Sequence, residues 1–202
     1  EDVFYLVPKD KKNFPYEAFL SEIQKQPEII SCGLTIGIPH NAMNHAYRNE
    51  DVSIPYEYIL CDEAAFKLYG FKVTEGNSSN PNGIWLCDQI EEYIEATPEI
   101  KKDICMVLGM ENFVGKVERF STMAGNLEHS DPVVGVTDRA KLLESKCDVV
   151  IKTTGDHKTA RDKIEGICAQ TIGDTHMDYD QMCRFAGYLS SDILEHVYGR
   201  SR

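Results

Sequence analysis

Short apolar runs alternate with stretches of helical spacing along this sequence, and that alternation constrains the fold more than any other feature. Pro132 to Thr137 reads as a strand, and Asp138 caps a short helix carrying Leu142 and Leu143. Val149, Val150 and Ile151 read as a buried strand after Cys147-Asp148. Gly155-Asp156 then turns the chain into a helix through Ala160, Ile164 and Ile167. Strands that alternate with helices predict a parallel sheet covered on both faces. The expected fold is therefore α/β, a three-layer sandwich with a mixed, mostly parallel sheet.

The same reading extends toward the N-terminus. Tyr16, Phe19, Leu20 and Ile23 fall at helical spacing, so residues 15 to 26 predict an amphipathic helix closed by Pro27. Ile29 to Ile38 and Tyr56 to Cys61 read as strands. Residues 39 to 55 between them are polar and irregular and read as a long loop or a short helix. Asp62 to Tyr69 follows as a helix, with Gly70 in the position that ends helices left-handed. Residues 75 to 83, Glu-Gly-Asn-Ser-Ser-Asn-Pro-Asn-Gly, form the clearest loop and a candidate irregular insertion. Trp85 to Ala96 reads as a helix, Thr97-Pro98 as the start of another, and Phe113 to Phe120 as a weak strand. Met182, Phe185, Leu189, Ile193 and Val197 recur at three- and four-residue steps, which predicts a last helix over 179 to 198. The 202 residues suit a single α/β domain.

Composition narrows the classes of function. The net charge of −12, from 33 acidic and 21 basic residues, opposes nucleic acid and anionic membranes as partners. No apolar run approaches the roughly 18 residues that span a bilayer. Seven cysteines are widely spaced, odd in number and mostly set among apolar neighbours. They read as free, buried thiols, and so predict a cytoplasmic protein. The chain begins with Glu rather than Met, which fits a piece of a longer protein.

Four polar clusters carry candidate chemistry. Thr154, Gly155, Asp156 and His157 follow a strand and open a helix, where free N–H groups favour anions. This stretch resembles the later half of a nucleotide-binding βαβ unit, though Gly33 and Gly37 lack the G-x-G-x-x-G spacing. Asp156 equally reads as a simple helix cap. His40, His45 and Arg48 lie just after a strand and offer ligand contacts; a polar loop is the plainer reading. Asp62 follows another strand and reads either as a general base or as the cap of its helix. Asp174, His176 and Asp178 alternate, so an extended segment would set all three on one side as metal ligands. The competing reading is an N-terminal cap cluster.

Two functions follow. The first is an enzyme that binds a small anionic molecule at the strand ends, with Asp62 and His157 catalytic and His40, His45, Arg48, Thr154, Gly155 and Asp156 binding. It requires separate strand-to-helix junctions to converge on one edge. The second is a non-catalytic binding or interaction module of a larger protein, with the last helix as a homo-oligomer contact. The sequence names no cofactor.

Overall fold

The computed structural model describes residues 2–8, 10–39, 42–119, 132–172 and 183–190; for Asp2, His157, Ile172 and 183–190 only the backbone is described. Ten strands join in one sheet: β1 (Asp2–Pro8), β2 (Ile29–Ile36), β3 (Met43–Arg48), β4 (Ser53–Cys61), β5 (Val73–Glu75), β6 (Gly83–Leu86), β7 (Phe113–Val117), β8 (Pro132–Val136), β9 (Asp148–Thr153) and β10 (Cys183–Ser190). Six helices accompany them: α1 (Tyr16–Ile23), α2 (Glu63–Tyr69), α3 (Asp88–Ala96), α4 (Glu99–Leu108), α5 (Arg139–Glu144) and α6 (His157–Ile172). The order across the sheet is β10-β1-β9-β2-β4-β8-β6-β7-β5, with β3 paired to β4 off this path.

The fold is mixed α/β, as the alternation implies, but the sheet is largely antiparallel. Only β4 with β8 and β6 with β7 run parallel among the described ladders. The reason lies in what sits between the strands that each helix connects. β1 and β2 point the same way across α1, yet β9 lies between them, antiparallel to both. β9 and β10 likewise flank β1 across α6. Strands β10-β1-β9-β2 with α1 and α6 thus form two interlocked split βαβ units, the ferredoxin-like arrangement. Residues 37–147 are inserted between its second and third strands. Local alternation reports a crossover but not which strand will fill the gap.

Alternating side chains on the strands feed two cores. Phe4, Leu6, Leu34, Ile84, Val149 and Ile151 pack with α1, α3, α4, α5 and α6. Val3, Tyr5, Ile59, Trp85, Val134 and Val150 pack on the other side, where α2 is the helix of the cluster. Most described helices therefore share one face. Polar ties close the cores on both faces near the start of β9. The Tyr16 hydroxyl donates to the Cys147 carbonyl at 2.5 Å. Buried Asp148 accepts from the Tyr5 hydroxyl at 2.5 Å and pairs with Lys11 at 2.7 Å.

Three elements differ from the sequence reading. Residues 43–48 form strand β3, a hairpin with β4, where a long loop or short helix is expected. The turn is set by Asn49, whose side-chain oxygen accepts from the N–H of Asp51 and of Val52. Trp85 lies in strand β6, and the helix begins only at Asp88. The expected last helix is strand β10 over Cys183–Ser190. β10 pairs along β1 through a register shift between Phe4 and Leu6, and without β10 the strand β1 would offer an open row of backbone groups. The C-terminal helix as an oligomer contact is corrected accordingly for these residues; 179–182 and 191–198 lie outside the described ones. An NMR spectrum of the labelled chain should give cross-strand contacts between Val3 and Leu189. Helical i to i+3 contacts within 183–190 would contradict β10.

Candidate functional site

The parallel pair β4 and β8 ends in register, with Cys61 opposite Val136. The Thr137 N–H donates to the Cys61 carbonyl at 2.9 Å, so the two strand-to-helix junctions lie side by side. From there α2 leaves onto one face of the sheet and α5 onto the other. Such a divergence opens a crevice at the carboxyl ends of the strands. A cavity of about 660 Å³ occupies it, lined by Ile30, Lys67, Asn82, Thr137, Arg139 and Lys152 among others.

Asp62 lies at the base of this crevice and is only 4% exposed. Its Oδ1 accepts from the Ala65 N–H at 2.8 Å, capping α2. Its Oδ2 accepts from the Leu34 N–H at 3.1 Å and from Arg139 Nε at 3.0 Å. Arg139 also donates to the Cys32 carbonyl at 3.3 Å. One carboxylate thus joins β2, α2 and α5. The close approach needs Gly33, because a Cβ there would stand 2.5 Å from the Ala65 nitrogen and 2.6 Å from Asp62 Oδ1. Of the two sequence readings of Asp62, the helix cap is what the geometry contains; each of its oxygens already holds protein donors.

Neighbouring thiols are not poised as nucleophiles. Burial, reinforced by the charge of Asp62, pushes the Cys61 thiol well above its usual value. Burial also raises Cys32, and pushes Cys147 up to about 12. A thiol held protonated neither attacks nor binds metal.

The other candidate residues do not gather at this crevice. Thr35 of β2 pairs with both Cys61 and Asp148, whereas Thr153 at the end of β9 pairs with Ile29. The two junctions are thus offset along β2 by about 20 Å, at ~3.4 Å per residue. Thr154, Gly155 and Asp156 are exposed there, and Asp156 Oδ2 accepts from the Thr159 N–H and hydroxyl, both at 2.9 Å. His157 is the first residue of α6. His45 and Arg48 lie on β3, opposite Tyr56 and Ser53, toward the far end of β4. His45 Nε2 lies 3.0 Å from Asp103 Oδ2, which also accepts from the Tyr56 hydroxyl at 2.7 Å. Burial and Asp103 push Tyr56 far up, so its hydroxyl remains a donor. A cavity of about 600 Å³ lies along this hairpin.

His40 and the metal set Asp174, His176 and Asp178 lie outside the described residues. Among the described residues no group of three His, Cys, Asp or Glu is placed to hold a metal ion. None of the described helices is long and apolar enough to cross a membrane. Sequence reasoning missed Arg139 and Asp103. Arg139 had a signal: it opens its helix, where the dipole disfavours a cation unless a carboxylate stands by. Asp103 had none, since its partners are distant in the chain.

No protein-family model matches the sequence. No curated protein matches it either. Solved structures do share the fold. The periplasmic region of MacB from Actinobacillus actinomycetemcomitans superposes with a TM-score of 0.51 at 11% identity, covering 96% of this chain and 91% of that one. The extracellular domain of the ABC-type transporter YknZ from Gram-positive bacteria gives 0.51 at 11% identity, covering 92% of this chain and 100% of that one. These likenesses correct two expectations. Both of these solved regions lie outside the cytoplasm, which points away from the cytoplasmic expectation. They are a periplasmic region and a transporter domain, which contradicts the reading as a small-molecule enzyme.

The free cysteines do not contradict this. Among the described residues Cys32, Cys61, Cys87, Cys147 and Cys168 are buried and Cys105 half-buried, and none of these six forms a disulfide. Burial protects a thiol in any compartment, so their number never reported the compartment.

Two outcomes test the site. Asp62→Ala should cost about 3 kcal/mol in urea denaturation, because it strands two buried N–H donors as well as Arg139. A loss under about 0.5 kcal/mol, the range of surface substitutions, would contradict the carboxylate's role. The raised Cys147 thiol has a signed pH effect. Its contribution to stability is full below the ordinary thiol value of about 8.5 and is lost as pH rises toward about 12. The wild type should therefore lose more stability between pH 8 and pH 11 than Cys147→Ala does; parallel curves would contradict it.

Proposed function

We propose that this chain is a non-catalytic domain of a larger membrane transporter or permease, placed outside the cytoplasm and working through contacts with protein partners. One observation carries the reading: the fold likeness spans nearly the whole of this chain and nearly the whole of each neighbour. A partial match could reflect a shared supersecondary unit, whereas these include both the ferredoxin-like part and the insertion. The interior is consistent with a scaffold. Asp62, the residue best placed for catalysis, is bonded into the junction of three elements. In this reading residues 1–202 act as one unit, and the exposed loop after β5 is a surface feature tied down where Trp85 Nε1 donates to the Pro81 carbonyl at 2.7 Å.

The placement is tested in cells that express the natural full-length protein. Protease added outside spheroplasts should degrade the segment recognised by an antibody to this chain, while a cytoplasmic marker survives. Protection of the segment until the membrane is lysed would contradict the proposal.

A further inference from the structure

Three buried carboxylate oxygens lack a hydrogen-bond donor among the described residues, one each of Glu28, Glu57 and Asp148. The chain answers two of these carboxylates with a lysine. Lys11 stands 2.7 Å from Asp148, and Lys163 stands 3.8 Å from Glu28. The Glu57 side chain has neither a hydrogen bond nor an ion pair among the described residues, although it is half-buried and its Oε2 is closed to solvent. A buried acceptor without a donor costs free energy, and that cost calls for a donor from elsewhere.

Glu57 lies in the cavity of about 600 Å³ along the β3–β4 hairpin. Tyr56 packs in the helix-side core, so Glu57, its neighbour on β4, stands on the other face of the hairpin. On that face Asn44 stands directly opposite Glu57, Ala46 opposite Pro55, and Arg48 opposite Ser53. The cavity is thus a groove with Ala46 and Pro55 in its floor, an acid and an amide at one end and a guanidinium at the other. Its ends are four residues apart along β3, about 14 Å at ~3.4 Å per residue. Neither Asn44 nor Arg48 commits its side chain to a hydrogen bond or an ion pair among the described residues.

We propose that this groove docks an extended segment of a partner protein, which brings an arginine to Glu57 and an acidic side chain to Arg48. In the docked state the Glu57 carboxylate turns both oxygens to the guanidinium, whose parallel N–H groups match them. A further N–H of the same fork meets the Asn44 side-chain oxygen. A bare divalent cation suits the groove poorly. Calcium takes about six to eight oxygens, and among the described residues no group of three His, Cys, Asp or Glu gathers here. A free amino acid suits it poorly too, because its own two charges stand too close together to reach both ends. Side chains four residues apart on an extended segment share a face, which is the spacing of the groove's ends. The net charge of −12 favours encounter with a basic partner. The choice of a protein segment as the source rests on the transporter reading; the missing cation at Glu57 does not.

The test is an NMR titration of the labelled chain with short threonine–alanine peptides carrying one arginine and one glutamate four residues apart. Both orders are used, because a segment on a sheet face can run either way. One order should shift the amides of Asn44, Ala46 and Glu57. It should bind about fivefold more tightly than N-acetylarginine amide, the gain expected of one further exposed ion pair. Glu57→Gln should abolish the shifts with no loss of stability in urea, since the carboxylate makes no bond within the described chain. Arg48→Gln should remove only the fivefold advantage. Glutamine in place of the peptide's arginine should abolish binding to the unaltered chain, a readout independent of any variant's folding. Absence of shifts with both orders overturns the proposal, as do shifts that survive Glu57→Gln. N-acetylarginine amide binding as tightly as the peptides would mark a site for a free cation and overturn the docked segment. The titration reads the purified chain, so its failure leaves the transporter reading standing. Protection of the segment in spheroplasts would remove that reading and leave the titration unchanged.

Discussion

The Asp62 carboxylate is the constraint on which the rest of the structure depends. It is fixed by two backbone N–H groups and one guanidinium, which come from β2, α2 and α5. β2 belongs to the ferredoxin-like part, while α2 and α5 belong to the inserted part. The backbone ladder between the two parts is short, since β2 meets β4 at only two residue pairs. A buried charge with three donors supplies there what the ladder does not. A buried carboxylate left unpaired would cost several kcal/mol, so the junction is specified as well as strengthened. Gly33 is part of the same arrangement, because any side chain would push α2 away from β2.

The sequence was informative wherever local chemistry decides the outcome. The helix over Tyr16–Ile23, the strand ending at Cys61, the Asp62 cap and the left-handed Gly70 are all set within a few residues. It was silent where a distant strand decides. Nothing in residues 29–36 announces that β9 will slot beside them, and so the directions in the sheet were misread. The apolar residues of 183–190 carry a helical spacing, and the open edge of β1 selects a strand with a register shift instead. The described candidate residues stay apart for a related reason. Junctions at Asp62 and Gly155 point the same way but are staggered along β2, and stagger leaves no mark on local sequence. Arg139 was within reach as a cation at a helix start; Asp103 was not.

The compartment was misjudged through the cysteines. Widely spaced thiols imply a reducing environment only where they are accessible, and a buried thiol with a raised pKa resists oxidation wherever the protein resides. The same burial removes them from consideration as nucleophiles. What the surface presents is a crevice at the switch between α2 and α5, and a hairpin arm fixed to α4 by Asp103.

Native-state amide exchange at Leu34 and Ala65 reads the central claim most directly. Both N–H groups donate to Asp62, so both should exchange only through global unfolding, at the slowest rates in the protein. Exchange of either through local opening, well before the core strands, would mean that the carboxylate does not hold the two parts of the sheet together.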